Sequence, residues 1–472
     1  MRLTKIVCTL GPASQSLEAI AALAEGGMNV ARINLSHGGR EQHKDFIAKV
    51  RRVSADRKKR GLPAVGIMLD TKGAEIRTGD TDHPFEIKKG QEVVFSPDTG
   101  PHGKRTTIAV NYSGFGKDVR ETDRILIDNG ELIFDILSIE KNGDVIAKAR
   151  QSGTIGSRRH INLPGADIDL PSLTEQDWKD LEFGVEEHAD FVALSFIRTG
   201  DDIADVRTLL RKKKSGMQIV AKIETKQAVD HIEEIIRASD GVMVARGDLG
   251  AELPFETLPV IQDQIVLRCR QAGVPVIVAT HMLESMIHQP TPTRAEVTDI
   301  AHAATTGADA TMLSGETASG KHPLLALDAM DRVLRATESH LSRFVQDDSS
   351  GVRTEREARA EAATTLADST EAHALLAFTR TGQTARDLAK FRPRIPIITF
   401  TDHPEVARML QIAFGVLPLE MPLDEDPETT VLNAMQICTR AGLLKSGDRV
   451  VIVSDTKAHE QLINTVQLRV IP

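Results

Sequence analysis

The 472-residue chain is 41% apolar and 26% charged, with a formal net charge of -9 and only 3% aromatic residues. The acidic balance argues against nucleic acid as the main partner, and so few rings make no base-stacking platform. Three distant cysteines (Cys8, Cys269, Cys438) exclude a disulfide scaffold and read as small core residues, and no apolar run approaches the roughly 20 residues that a membrane span needs.

The N-terminus, Met1 to Leu10, is already strand-like and has no signal-peptide core, so a cytoplasmic enzyme that starts directly on its first strand is expected. Eight β-branched runs then recur: Lys5–Leu10, Asn29–Leu35, Ala64–Asp70, Phe191–Phe196, Gln218–Ile223, Gly241–Ala245, Pro275–Thr280 and Ala310–Ser314. Stretches between them carry helical spacing, as in Ile203, Val206, Leu209 and Leu210. Strand–helix alternation repeated in this way predicts a parallel (β/α)8 TIM barrel, with its chemistry at the C-terminal ends of the strands.

From Thr71 to Leu170 the pattern changes to short β runs with turns at Gly79-Asp, Lys89-Gly, Asp128-Asn-Gly and Asn142-Gly. About a hundred residues is too long for a loop and predicts an inserted all-β lid on the functional face. After a linker near Ser349-Ser-Gly351, a helix near Glu355–Ser369 and strands at Ala372–Phe378, Ile395–Phe400 and Arg449–Val453 predict a small α/β domain with a partly parallel sheet. The expected division is residues 1–70 and 171–340 for the barrel, 71–170 for the lid and 341–472 for the C-terminal domain. The basic runs Arg57 to Arg60 and Arg211 to Lys214 read as solvated surface.

Polar clusters end most of the barrel strands. In an extended strand, residues i and i+2 share a face. Lys222 and Glu224 therefore point together, and Asp248 closes the next strand. An ammonium beside two carboxylates suits a divalent cation next to a phosphoryl group. Arg32, Asn34 and Ser36 share a face, while Ile33 and Leu35 point to the helices. Asn34, Ser36, Asp70 and Thr71 offer neutral oxygens and one carboxylate, a shell for a monovalent cation. Arg32 and Arg77 are candidate phosphate clamps. Gly247 lets backbone approach a ligand ahead of a helix start. Thr280 offers a hydroxyl, and Ser314 with Glu316 is a plausible proton-relay pair. His281 reads as structural rather than as an acid–base group.

The runs KIVCTLGPAS, NVARINLSHG, LDTKGAEIRTG, INLPG, KIE, VARGDLG, ATHMLESM, PTRAE and MLSGETA stand in order between Leu3 and Pro323, and together they resemble the pyruvate kinase family. The resemblance implies transfer of the phosphoryl group of phosphoenolpyruvate to ADP, giving ATP and an enolate that is protonated to pyruvate. It implies Glu224 and Asp248 as Mg2+ ligands, Lys222 as the group that stabilises the phosphoryl in flight, and Arg32, Arg246, Gly247, Asp248 and Thr280 as substrate contacts. Asn34, Ser36, Asp70 and Thr71 match the family's K+ ligands. Asn34, His37, Arg77 and Arg159 fall where the family binds nucleotide. Thr280, Ser314 and Glu316 lie where the enolate is protonated, with the proton donor left open. Glu75 goes with a K+ requirement in this family. Ala74, Ala221 and His281 depart from the usual Pro, Ser and Gln.

In the C-terminal domain, Thr379, Arg380, Thr381, Gly382, Gln383 and Thr384 resemble the family's effector phosphate loop, a nest of N–H groups and hydroxyls opening a helix. The Gly-rich second effector loop is not apparent; the chain reads Ser454-Asp-Thr-Lys-Ala-His-Glu-Gln-Leu-Ile463 there. A sugar monophosphate activator is therefore expected in place of fructose 1,6-bisphosphate. The family also implies a homotetramer. A Mg2+-dependent barrel lyase would want the same carboxylates but needs neither ADP nor a lid, and an inert sensor would not keep Lys222 and both metal ligands.

Overall fold

The computed structural model describes residues 1–98, 105–120, 123–166, 168–341, 354–458 and 461–472. The expected linker at Ser349–Gly351 and residues 459–460 of the C-terminal run lie outside these. Eight parallel strands close into a barrel: Lys5–Leu10, Val30–Asn34, Gly66–Asp70, Phe191–Leu194, Gln218–Ile223, Gly241–Ala245, Val276–Ala279 and Ala310–Leu313. Each predicted run contains its strand. Several strands stop a residue or two short, because the polar residues at their ends leave the hydrogen-bonded ladder for the mouth.

Alternation along the strands sorts the barrel into two apolar layers. Val7, Val30, Met68, Ala193, Val220, Met243, Ile277 and Met312 fill the interior. Cys8, Ile33, Leu69, Leu194, Ala221 and Val244 face the helices outside. The same period of two decides what reaches the mouth. An inward residue is followed two positions later by another inward residue, so Val30 leads to Arg32 and Asn34, Met68 to Asp70, Ala193 to Ser195, and Val220 to Lys222 and Glu224.

Between the third and fourth barrel strands lies a six-stranded sheet, in the order Ile161–Asn162, Arg124–Ile127, Leu132–Ile139, Val145–Ala149, Glu92–Ser96 and Thr106–Ala109. Its core is built on Phe95, Phe115 and Phe134, with Phe95 and Phe134 edge to face at 5.2 Å. A separate pair, Phe85–Ile87 with Gly153–Ile155, completes the insert.

The C-terminal sheet has five strands in the order Val416–Glu420, Ile397–Thr401, Ala374–Phe378, Arg449–Ala458 and Gln461–Val470. The first four are parallel and the last pairs antiparallel. This domain plugs the base of the barrel: Ile412 is 2% exposed and packs with the barrel's interior residues, with Met409 beside it. Burying one such side chain stabilises by about 1.5–3 kcal/mol. All three cysteines are buried. No described helix is long and apolar enough to cross a membrane.

Candidate active site

Lys222 is the hub of the mouth. Its Nζ lies 3.0 Å from Asp70 Oδ1, 2.6 Å from Ser195 Oγ and 2.8 Å from Glu224 Oε1. Asp70 turns its other oxygen to Arg32 Nε at 2.6 Å, and Arg32 also donates to Thr9 Oγ1 at 2.9 Å. Burial opposes the Lys222 ammonium, but Asp70 and Glu224 outweigh it and hold the lysine above its ordinary pKa. Burial likewise opposes the Asp70 carboxylate, yet Arg32 and Lys222 hold it below the usual carboxylate range.

Glu224 behaves differently. Burial first, and Asp248 second, push its carboxyl up to about 7 against the pull of Lys222. Asp248 is raised too, chiefly by burial, and shares a hydrogen bond with Glu224. One lysine divided among several acceptors does not neutralise both carboxylates. Two acids held together above their ordinary pKa make a seat that wants a further cation. Among the described residues no group of three or more His, Cys, Asp and Glu side chains is placed to hold a metal ion. A pair of carboxylates suits Mg2+, which prefers one or two such ligands, with water and phosphate oxygens, over an all-protein cage.

Across the mouth, Thr280 and His281 both sit at positive φ, 68° and 54°. Two such residues in sequence are uncommon outside glycine and mark a strained strand end. The conformation is held by Arg246, which donates to the carbonyl of Thr280 at 2.5 Å and to Asp299 at 2.7 Å. Arg246, expected among the substrate contacts, is thus engaged with the loop that carries Thr280. The backbone N–H of Gly247 donates to Thr280 Oγ1 at 2.7 Å. His281 is exposed. Glu316, 1% exposed, accepts from the N–H groups of Ser314 and Leu283, and burial raises its pKa. Ser314 Oγ is buried with no hydrogen-bond partner among the described residues.

The monovalent-cation residues are brought near one another by neighbouring strand ends. Asn34 Oδ1 accepts from Ser36 N at 3.0 Å, and Thr71 Oγ1 accepts from Ser195 N at 3.2 Å. Asp70 is more heavily engaged than its sequence position suggests, since both oxygens already meet cations. A carboxylate offers about four lone-pair directions, so the set still has oxygen to give a K+ ion. His37 is exposed beside this group. Arg77 donates to Glu75 Oε2 at 2.6 Å, and Arg159 pairs with Asp128 at 3.1 Å, so both stand on the lid side of the cleft.

In the C-terminal domain, Thr379 Oγ1 accepts from Gly382 N at 2.8 Å and Thr381 N at 3.3 Å. Gly382 takes φ 85°, and the helix Gln383–Lys390 follows. Gln383 reaches Asp387. Thr379, Arg380, Thr381 and Thr384 line an open cavity of about 640 Å3 together with Asp424 and Glu425. Residues 454–458 and 461–463 belong to the two antiparallel strands that end the C-terminal sheet.

Sequence reasoning missed Ser195, Thr9 and His160. Ser195 follows the alternation of Phe191 and Ala193 and could have been found by that rule alone. His160 could not, because its place 3.8 Å from Asp248 is set by how the lid folds onto the barrel.

The family model described as "Pyruvate kinase, barrel domain" matches residues 1–327, and "Pyruvate kinase, alpha/beta domain" matches residues 357–469. Plastidial pyruvate kinase 2 of Arabidopsis thaliana is 41% identical over 96% of this chain and 78% of its own length. A pyruvate kinase of Geobacillus stearothermophilus is 38% identical over 97% and 78%, respectively. The crystal structure of a pyruvate kinase from Cryptosporidium parvum superposes with a TM-score of 0.92 at 36% identity, covering 100% of this chain and 96% of that one.

Proposed function

The chain belongs to the pyruvate kinase family and is a phosphotransferase acting on phosphoenolpyruvate and ADP, and from that premise we propose how its mouth performs the reaction. The observation that carries the reading is Lys222 Nζ held among Asp70, Ser195 and Glu224. The bond from phosphorus to the enol oxygen breaks, and one to a terminal oxygen of ADP forms. Little covalent help is needed from the protein, so positioning and positive charge dominate. Lys222 and Arg32 face the phosphoryl oxygens. Gly247 and Thr280 hold the carboxylate end. Glu224 and Asp248 would hold Mg2+, which when bound neutralises developing charge. Asn34, Ser36, Asp70 and Thr71 would hold K+, and Glu75 in place of a lysine supports that requirement. His37, Arg77 and Arg159 receive the nucleotide, together with Asn34.

The enolate then takes a proton on its terminal carbon. Thr280, the unpartnered Ser314 hydroxyl and the easily protonated Glu316 stand at the same mouth to deliver it. The loop Thr379–Thr384 binds a sugar monophosphate: its N–H groups and hydroxyls suit one phosphate, and Asp424 and Glu425 across the cavity disfavour a second. A cytoplasmic homotetramer is the assembly we propose. Exposed Phe255 and Val260 on the barrel, and Val470 on the edge strand of the C-terminal sheet, suit contact with further copies.

The test is a coupled assay of pyruvate formation from phosphoenolpyruvate and ADP. Turnover should need Mg2+, fall when K+ is replaced by tetramethylammonium, and rise with a sugar monophosphate in the wild type but not in the Thr379→Ala, Thr384→Ala double variant. Equal rates with and without K+ would overturn the cation assignment, and activation persisting in the double variant would overturn the effector site.

A further inference from the structure

The lid meets the barrel along a helix that begins in the active site. The helix Arg246–Glu252 carries Asp248 and Glu252 four residues apart, on one face. Against it lies the short lid strand Ile161–Asn162 with its preceding residue, so that His160 and Asn162, two residues apart, also share one face. The two periods match. His160 Nδ1 stands 3.8 Å from Asp248 Oδ1, and Asn162 Nδ2 donates to Glu252 Oε1 at 3.5 Å. The Glu252 carboxylate also accepts from the backbone N–H of Leu163, the next lid residue.

Asn162 is 3% exposed, Leu163 is likewise 3%, and Asn162 Oδ1 has no hydrogen-bond partner among the described residues. The buried end of this lid strand is thus tied to the barrel through Glu252. A cavity of about 240 Å3 opens beside the contact, bounded by Ile161, Leu163 and Ile168 of the lid and by Phe196 and Gln227 of the barrel. With open space there, apolar packing alone does not fix the lid's angle, and a directional polar contact is needed to do it.

We infer that Glu252 is a positioning residue, the barrel-side receptor for the lid strand at Asn162 and Leu163, and that it sets the lid's angle over Gly247 and Asp248 through their shared helix. Removing the receptor leaves two lid donors without their acceptor and lets the lid rock about its hinge. Burial pushes the Glu252 carboxyl up to about 7, in keeping with a group that has given up water to take these donors. The inference rests on the lid closing over the phosphoryl-transfer site, but its first readout needs no turnover.

The experiment compares Glu252→Ala, Glu252→Gln and Asn162→Ala with the wild-type chain by amide hydrogen exchange and by steady-state kinetics. Exchange at Leu163 and its neighbours should speed up by about tenfold or more in Glu252→Ala, the equivalent of one lost hydrogen bond, with the barrel strands unchanged. Its kcat should fall by a similar factor while KM for phosphoenolpyruvate moves less than about threefold, since Lys222 and Thr280 are untouched. Glu252→Gln, which keeps an acceptor oxygen, should recover most of both effects. Asn162→Ala should show a smaller loosening in the same segment, and it remains informative if Glu252→Ala fails to fold. Unchanged exchange at Leu163 in Glu252→Ala and Asn162→Ala would overturn the inference. So would a Glu252→Gln variant as loose as the alanine. Loosened exchange in a chain with no pyruvate kinase activity would keep the lid contact and overturn the functional reading instead.

Discussion

The two ends of the barrel are both charged, yet they use charge in opposite ways. At the base, Asp309 is 3% exposed and fully answered: Arg392 donates at 2.6 Å, Phe414 N at 3.0 Å and Val276 N at 3.1 Å. Arg392 in turn donates to the carbonyls of Gly307 and Ala389. Asp190 at the same end meets Arg408 at 2.7 Å, Arg51 at 3.3 Å and the N–H of Ile67 at 2.8 Å. At the mouth the account stays open. Glu224 and Asp248 are held above their ordinary pKa, Ser314 Oγ has no partner among the described residues, and Thr280 and His281 are strained. Closed networks fix the docking of the C-terminal domain, while the open one leaves groups at the mouth unanswered, as the proposed binding of substrate and cations there requires.

The sharpest way to break this contrast is to remove one charged side chain from each end. Lys222→Met should lower kcat by about a thousandfold, the scale of losing a preorganised charge at the transferring group. With Mg2+ present, its melting temperature should change less than that of a base variant. Asp309→Ala should do the reverse. It strands Arg392 in a buried place and should cost about 3–5 kcal/mol of stability, with kcat per folded molecule near wild type. Urea unfolding with parallel kinetics checks both. A Lys222→Met enzyme that keeps wild-type kcat, or an Asp309→Ala chain as stable as wild type, would erase the distinction.

Why the mouth could be read from sequence and the base could not follows from the same geometry. Mouth residues sit two positions beyond apolar strand residues, so period-two reasoning finds Arg32, Asp70, Lys222 and Glu224 without a structure. Arg246 shows the limit: its motif position is legible, but its commitment to Asp299 and the Thr280 carbonyl depends on a helix fifty residues away. Base contacts such as Lys5 with Val416, or Asp309 with Arg392, join parts of the chain that no local pattern relates. The lid contact of Asn162 with Glu252 belongs to the same class. In the C-terminal sheet, the strand Val416–Glu420 lies outside the three expected runs, and Pro418 within it is tolerated because that strand lies at the sheet's edge.

A weaker effect sharpens the comparison through pH. The Glu224 carboxyl is raised in the folded chain to about 7 from an ordinary value of 4.5. Between those values the folded state binds more protons than the unfolded, so stability should fall as pH rises through that window when no divalent cation is present. Mg2+ at the two carboxylates displaces the proton and should flatten the slope. Melting curves at pH 5, 6 and 7, taken with Mg2+ and with EDTA, read this directly, at roughly those pH values because the window is bounded by the two pKa values. A slope that is the same in both buffers would mean that the pair does not hold the ion.

The base supplies the opposite sign. Lys5 is 3% exposed, and its Nζ donates only to the carbonyl of Val416 among the described residues, at 2.6 Å. Burial, with Arg2 nearby, lowers its pKa from 10.5 to about 7. Here the unfolded state binds the extra proton between those values, so stability should rise with pH across the window, by at most about 1.4 kcal/mol per pH unit for a single proton. Lys5→Met should remove that rise. It should also leave the Val416 carbonyl without its donor, which offsets part of the gain at neutral pH and keeps the net change there near 1 kcal/mol. If Lys5→Met keeps the wild-type slope above pH 7, the lysine is protonated in the folded chain, and the base holds an open charge as the mouth does.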